Sequence, residues 1–417
     1  MNVQEILSRN AERMKALYAG VDPSARYEKL AKEFSAHFGK EPEMFISAPG
    51  RIEVVGNHTD HNNGRVLAAS VDLDTLAAIA PNGTNTVNLF SRGHNRNLPI
   101  TVNLDDLAMK ESEQSTSSSL IRGVAAKLKE LGYRIGGFDA EITSTVYQGS
   151  GLSSSAAFEV MLVAAFDALF NGWTIDPKLN ARISQYAENV YFGKPCGLMD
   201  QTASAVGGLV SFDFAPETVE IESIGYDFGA KGYKVCVVCT GGEHGNLSSY
   251  YASIPAEMKA VAAQLGEKFM NGVSKERLMK ALPELKNRVS DRSILRAFHF
   301  VDETERVMDA ANALKADDLT AFFKAVVDSG ESSWKLLQNL YVESSDNQEI
   351  PLALEMSRRM LEGCGAWRIN GGGFAGTIEA YVPSKKVEEY TSAMNAVFGE
   401  NAVTVLNIRP EGVVCIK

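Results

Sequence analysis

Between a run that alternates apolar and polar positions, Phe138 to Val146, and an apolar stretch broken only by Asp167, Val160 to Phe170, the chain carries Gly149-Ser-Gly-Leu-Ser-Ser-Ser-Ala-Ala157. Alternation at a period of two marks a strand, and the apolar stretch marks a buried helix. The segment between them is therefore a glycine-containing connection that ends on a helix N-terminus. Glycines let backbone come close to a ligand, and the free N–H groups and positive end of the helix attract an anion. Strand, loop and helix in this order suit a polyphosphate. Taken alone, the same residues equally suit a small-residue turn that packs a helix on a sheet. They are not a Walker loop, because Gly-Lys-Ser/Thr is absent, and they make a poor dinucleotide fingerprint, because Ser154 stands where the third glycine belongs.

The rest of the chain sets the frame. A length of 417 residues predicts one or two domains, and 45 % hydrophobic with 22 % charged residues predicts that it folds throughout. The net charge of -11, with no long basic run, argues against nucleic acid and anionic membranes as partners. Any anionic ligand must then be held by a local site. The first fifteen residues lack the apolar core of a signal peptide, and Val160 to Phe170 is too short to span a bilayer, so it reads as a buried helix. Five cysteines, an odd number, predict reduced thiols and a cytoplasmic protein. Cys236 and Cys239 lie in YKVCVVC, a strand whose spacing sends them to opposite faces, which predicts packing rather than metal or redox work. His94, His244 and His299 show no ligand spacing, and oligomeric state is not legible.

Helical periodicity predicts a lead-in that ends at Gly39. Strands follow in FISAPGRIEVV, VLAASVDLDTLAAIA and TVNLF, with Asn82-Gly83 as a hairpin turn between the last two. Two more strands, GGLVSFDF and KVCVVCT, precede a mostly helical stretch from Pro255 to about Met360. Strand, helix, strand and strand finish the chain, and the domain boundary is placed near residue 228, giving domains 1–228 and 229–417.

Two further segments hold chemistry. Ala48-Pro-Gly-Arg51 followed by Gly56-Asn-His-Thr-Asp60-His-Asn-Asn-Gly64 packs donors and acceptors between two strands, where polyol hydroxyls can be gripped from several sides. In Gly197-Leu-Met-Asp200-Gln201 one acid sits among apolar neighbours, where it either caps a helix or is kept for function.

These segments, in this order and joined by Asn370-Gly-Gly-Gly-Phe-Ala-Gly376, closely resemble the galactokinase branch of the GHMP kinases. The family's sugar signature, GRxNLIGEHTDYxxGxVLP, appears here as GRIEVVGNHTDHNNGRVLA, and its GLSSSAA and CGxMDQ are present unchanged. The resemblance implies an α+β fold of two domains, the first like the fifth protein of the small ribosomal subunit and the second ferredoxin-like. It implies phosphorylation of the anomeric hydroxyl of galactose or a galactose-like sugar by ATP with Mg2+. On that basis Gly149, Ser150, Gly151, Leu152, Ser153, Ser154, Ser155 and Ala156 cradle the ATP phosphates, and Gly371, Gly372 and Gly373 close the cleft from the second domain. Ser155, with Ser154 as second choice, and Glu188 are the implied magnesium ligands. Asp200 and Arg51 are the implied catalytic pair, facing the anomeric hydroxyl, while Asn57, His58, Asp60, Gly197 and Tyr251 line the rest of the sugar.

The chain departs from the pattern at Asn57, where the family has glutamate, at His61 for tyrosine, and at Ala375 for glycine. By analogy the first faces the sixth carbon of the sugar, and losing its charge opens the site to galacturonate as an alternative substrate. The basic cluster that usually follows the sugar tyrosine is missing after Tyr251, which leaves Tyr250 as an alternative. A non-catalytic galactose sensor is the competing function; the intact serine loop, Glu188 and Asp200 favour the enzyme.

Overall fold

A computed structural model of the protein describes residues 3–91, 99–146, 151–215, 217, 219–241, 247–342, 346–374 and 376–417. Three helices open the chain, α1 (Val3–Arg9), α2 (Ala11–Leu17) and α3 (Ser24–Phe38), the last stopped by Gly39 at a left-handed φ of 67°. Their apolar faces (Ile6, Leu17, Tyr27, Phe34) cover one face of the first sheet at Phe45, Leu76 and Ala78. That region continues through β1 (Met44–Val55), β2 (Arg65–Pro81), β3 (Thr86–Ser91), β4 (Ile100–Asn103), α4 (Ser117–Glu130), β5 (Phe138–Ser144), α5 (Ser154–Phe166), α6 (Pro177–Tyr186), α7 (Met199–Val206), β6 (Leu209–Asp213) and β7 (Glu220–Ser223). The second region comprises β8 (Tyr233–Cys239), α8 (Ser248–Gln264), α9 (Lys275–Leu285), α10 (Asp291–Lys315), α11 (Leu319–Ser332), α12 (Glu349–Leu361), β9 (Ala366–Asn370), β10 (Thr377–Pro383), α13 (Val387–Phe398) and β11 (Val403–Leu406), before β12 (Val414–Ile416).

The second sheet has the order β11-β8-β10-β9, antiparallel throughout, with helices α8 to α12 crossing from its first strand to its second and α13 from its third to its fourth. Strand order four-one-three-two with those crossovers is the ferredoxin-like arrangement. The first sheet runs β12-β1-β2-β5-β3-β4, with β6 paired to the first half of β2 and β7 paired to β6. Its last strand departs from a division at residue 228. Val414–Ile416 pairs with Phe45, Ile46 and Ser47, so the final residues expected in a second domain complete the first sheet.

Asn82-Gly83 is not a hairpin turn between paired strands. β5 lies between β2, to which it is antiparallel, and β3, to which it is parallel. The reason is local: the Gly137 N–H donates to the Thr84 carbonyl (2.8 Å) and Asn82 Nδ2 donates to Asp139 Oδ1 (2.9 Å), so the turn receives the start of β5 instead of folding β3 back on β2. β5 brings Phe138, Ala140 and Ile142 into the larger core, a gain that a two-stranded hairpin does not offer.

The helix opened by the serine loop starts at Ser154, ahead of the apolar stretch Val160 to Phe170. It continues through a π-turn to Asn171, and Ser154–Asn171 is long and apolar enough, by composition alone, to cross a membrane. Sixty-one per cent of it is buried in the protein. Val160, Val163 and Phe166 pack there with Ile46, Ala77 and Phe138. All twelve residues of β1 are buried, including Arg51 and Glu53, because its second half runs beneath the second sheet. Arg368 of β9 donates from Nη1 to the Glu53 carbonyl and from Nη2 to its carboxylate (3.0 Å), and the Glu53 N–H donates to Asn370 Oδ1 (3.2 Å). Charged residues tolerate this burial because each is paired. Cys236 is buried in the second core, Cys239 is half-buried, and all five cysteines are free.

Candidate active site

Asp200 sits in the first turn of α7, where the helix dipole favours a carboxylate. Arg51 holds it with two parallel bonds, Nε to Oδ1 (2.7 Å) and Nη2 to Oδ2 (2.8 Å), a fork that fixes both groups. Burial on its own would raise the Asp200 carboxyl, but the charge and hydrogen bonds of Arg51, with help from Ser153, bring it below the ordinary aspartate range. The side chain of Arg51 is 7 % exposed and that of Asp200 is 32 %, so the carboxylate is the member of the pair that faces the cleft. The site thus presents an ionised, oriented acceptor.

The serine loop is tied to this pair. Arg51 N–H donates to the Leu152 carbonyl (3.0 Å), and the Gly151 carbonyl accepts from Arg51 Nη1 (2.6 Å) and Asn370 Nδ2 (3.0 Å). Gly151 has a left-handed φ of 68°, and a β-carbon there would lie 1.8 Å from Thr377 Oγ1. Ser153 is also left-handed, at φ 60°, an uncommon place for a residue with a side chain, and its hydroxyl donates to Asp200 Oδ2. No side chain caps α5 at Ser153, and the Ala157 N–H is bonded to the Ser153 carbonyl (3.2 Å). The N–H groups of Ser154, Ser155 and Ala156 therefore lack acceptors within the helix and remain for an anion. Gly149 and Ser150 lie outside the described residues.

Ser155 and Glu188 meet, with the hydroxyl 3.2 Å from Oε1. Gln201 donates to Glu188 Oε2 (2.7 Å) and to Glu159 Oε2 (3.1 Å), which holds the two acids side by side. Burial first, and the Glu188 charge second, push the Glu159 carboxyl well above its ordinary range, which favours its neutral form. Glu188 and Ser155 offer two hard oxygens beside the helix N-terminus, the kind of partial set that magnesium shares with phosphate. No cluster of three or more metal-ligating side chains occurs among the described residues.

The segment after β1 is gathered against the glycine loop of the second domain. His58 Nε2 donates to the Gly372 carbonyl (2.9 Å), Tyr251 Oη donates to the Gly373 carbonyl (2.8 Å), and Asn57 Nδ2 donates to that of Gly371 (2.8 Å). Burial, with His61 stacked 5.7 Å away, lowers the His58 pKa to about 4, so the ring is neutral at physiological pH. Both Tyr250 and Tyr251 pack on Phe374, and Tyr251 also leaves no room for a side chain at Gly372. Asp60 accepts from the backbone N–H of His61 (2.9 Å) and of Met199 (3.4 Å), next to Asp200. Gly197 is required there, since a β-carbon would lie 1.7 Å from Asp60 Oδ2. Ala375 lies outside the described residues.

Asn57 corrects the expectation that it faces the sixth carbon of a sugar. Its side chain is fully buried, and both amide hydrogens and both lone pairs are used: Nδ2 on Glu53 (2.6 Å) and Gly371, Oδ1 by Asn339 (2.8 Å) and Ser333 (3.2 Å). With its amide fully engaged, Asn57 has no group left to favour a carboxylate on the sugar. Glu53 was missed as a site-shaping residue, although a signal was present. The signature quoted above has asparagine where this chain has Glu53 and glutamate where it has Asn57, so amide and acid have changed places across a contact of 2.6 Å. Asn339, Asn370 and Ser153 also reach the site, Asn339 and Asn370 by way of the glycine and serine loops. For Asn339, which lies outside every motif in the sequence, no sequence signal exists.

The chain is similar to known proteins over most of its length. Residues 32–81 match the galactokinase galactose-binding signature and residues 119–208 the GHMP kinase N-terminal domain. A galactokinase of Streptomyces coelicolor is 32 % identical over 376 residues, covering 88 % of this chain and 92 % of the relative. A galactokinase of Glaesserella parasuis is 30 % identical over 396 residues, with 92 % and 95 % covered. Among solved structures, Lactococcus lactis galactokinase complexed with galactose superposes with a TM-score of 0.82 at 25 % identity, over 93 % of this chain and 99 % of that one. A mevalonate kinase shares the fold at 15 % identity and a TM-score of 0.62, over 88 % and 99 %. A two-region α+β fold, a serine loop opening α5 and an arginine-clamped aspartate thus coincide with relatives aligned almost end to end, and the chain belongs to the galactokinase family of the GHMP kinases.

Proposed function

We propose that the protein is a sugar kinase acting in the cytoplasm, which transfers the terminal phosphate of ATP to the anomeric hydroxyl of galactose, giving galactose 1-phosphate and ADP. The observation that carries this is the ionised Asp200, clamped by Arg51 and bonded to the same serine loop whose helix offers free N–H groups to phosphate. Acceptor of a proton and cradle of an anion adjoin, as an in-line transfer between a hydroxyl and a polyphosphate requires.

In that transfer the anomeric oxygen attacks the terminal phosphorus, the bond to the bridging oxygen of ADP breaks, and the hydroxyl proton passes to Asp200. Arg51 keeps the carboxylate ionised and oriented before the step and offsets the negative charge that gathers on the sugar oxygen during it. The backbone N–H groups of Ser154 to Ala156 hold phosphate oxygens. Ser155 and Glu188 are the residues that would hold Mg2+, which supplies charge neutralisation to the phosphates when bound. Asp60 and His58 supply polar groups along the remainder of the sugar, and Tyr251 closes the glycine loop over it.

The direct test is turnover with galactose, ATP and Mg2+, with the product identified by phosphorus NMR. Galactose 1-phosphate is expected, with no turnover in excess EDTA. Galactose binding without ADP release would favour a sensor. Galacturonate and arabinose belong in the same screen, and a preference for galacturonate would contradict the placement of Asn57. A second result follows from Gly197. Gly197→Ala drives the Asp60 carboxylate aside, and displacement on that scale lowers the efficiency of a positioned reaction by about tenfold or more. The rise is expected in the KM for galactose more than in kcat; an unchanged KM removes Asp60 from the sugar site.

A further inference from the structure

Lys194 follows the helical turn that ends at Gly193, where φ is 85°. The backbone N–H groups of Gly193 and Lys194 both close on the Glu188 carbonyl, at 3.0 and 3.1 Å. The Lys194 ammonium then returns to the carboxylate of the same residue, 3.2 Å from Oε1. That oxygen is the one that the Ser155 hydroxyl also approaches at the first turn of α5. The Glu188 side chain is 3 % exposed and that of Lys194 is 58 % exposed, so the acid is fixed in the wall of the cleft and the lysine reaches it from solvent. A compact ammonium on a flexible stem is thereby seated where a metal ion would sit, beside N–H groups that await phosphate.

A divalent ion arriving on Glu188 Oε1 repels the ammonium from that oxygen, and the nearest new anion is the polyphosphate brought in with the ion. We propose that Lys194 is an unassigned nucleotide-binding residue: it neutralises Glu188 in the metal-free protein and moves to the ATP phosphates when Mg2+ takes its place. This rests on the kinase reading and on Ser155 and Glu188 as the metal ligands. The segment of chain around Lys194 is anchored by its backbone, so the side chain alone makes the move.

The test uses Lys194→Met and Lys194→Arg in the full chain, with thermal unfolding as a check that the exposed side chain leaves the fold intact. Without nucleotide, Lys194→Met is expected to bind Mn2+ about threefold more tightly, as the loss of a competing exposed ion pair allows. It is expected to bind Mg-ATP at least about tenfold more weakly in calorimetry, the scale of one lost charge-assisted hydrogen bond. Lys194→Arg should recover most of the Mg-ATP affinity. Unchanged Mg-ATP affinity in Lys194→Met, or unchanged Mn2+ affinity, overturns the proposal. If the wild-type protein binds no Mg-ATP, the kinase reading falls and the lysine's role with it; if wild type and Lys194→Met bind it equally, only the lysine's role falls.

Discussion

Asp200→Asn lowers kcat for galactose phosphorylation by about a hundredfold or more, the usual contribution of a positioned base. The asparagine keeps the shape, and its oxygen can still accept from Arg51, so galactose binding and thermal stability should change far less than turnover. What disappears is the acceptor for the anomeric proton and the charge that Arg51 orients. The wild-type pH profile has a matching expectation. Because Arg51 outweighs burial and keeps the Asp200 carboxyl below its ordinary range, ionisation of this group should not appear in the rate until the solution is more acidic than the usual aspartate value of 3.8. Near-normal turnover in Asp200→Asn would make Asp200 a structural clamp for Arg51, and Asp60 would become the next acid to test.

Arg368→Met is expected to destabilise the protein by about 3–5 kcal/mol, because it removes the cation from a buried cluster of acids. Arg368 is fully buried, with Nη2 3.0 Å from Glu53 Oε1 and Nη1 4.0 Å from Glu379 Oε1. Neither oxygen of Glu379 has a hydrogen-bond partner. Burial, opposed by Arg368, pushes the Glu379 carboxyl up to about 8 from an ordinary 4.5. Between those values the folded protein keeps a proton that the unfolded chain has released, so stability falls as pH rises through that window. Glu379→Gln should flatten this slope and raise the unfolding midpoint near pH 8. Urea unfolding followed by the fluorescence of the adjacent Trp367 reads both variants; an unshifted midpoint in Arg368→Met would mean that water already solvates Glu53 and Glu379.

The contrast between these two sites shows what a chain discloses before it is folded. Asp200, Arg51 and the serine loop were legible because the chemistry needs particular residue types at fixed spacing, and the spacing survives in the sequence. The strand-helix-strand pattern from Thr377 to Leu406 was legible because apolar periodicity is local. Arg368 and Glu379 were not, because a charge within AWRIN or TIEAY looks like the exposed side of an edge strand until β1 is laid across it. The hairpin expected at Asn82-Gly83 failed for a related reason: the turn signal is real, but the partner of β3 comes from about fifty residues away, and nothing local announces it. Asn57 failed differently. Family analogy assigned a side chain to the sugar, while the exchange with Glu53 had already redirected it toward the second sheet.

The pairing of β12 with β1 has a bearing on how the protein is made. Residues 224–413 intervene between β7 and β12, so the ribosome delivers all four strands of the second sheet before the first can close its edge. Until then β1 presents Phe45, Ile46 and Ser47 with open backbone groups on the side that β12 will fill, an invitation to pair with another nascent chain. Once it arrives, Arg13 of α2 clasps Glu411 and the Cys415 carbonyl, while Asn10 reaches the Lys417 carbonyl. The first region to be translated is thus among the last to be finished, and the helices that lead the chain serve as the latch for its final strand.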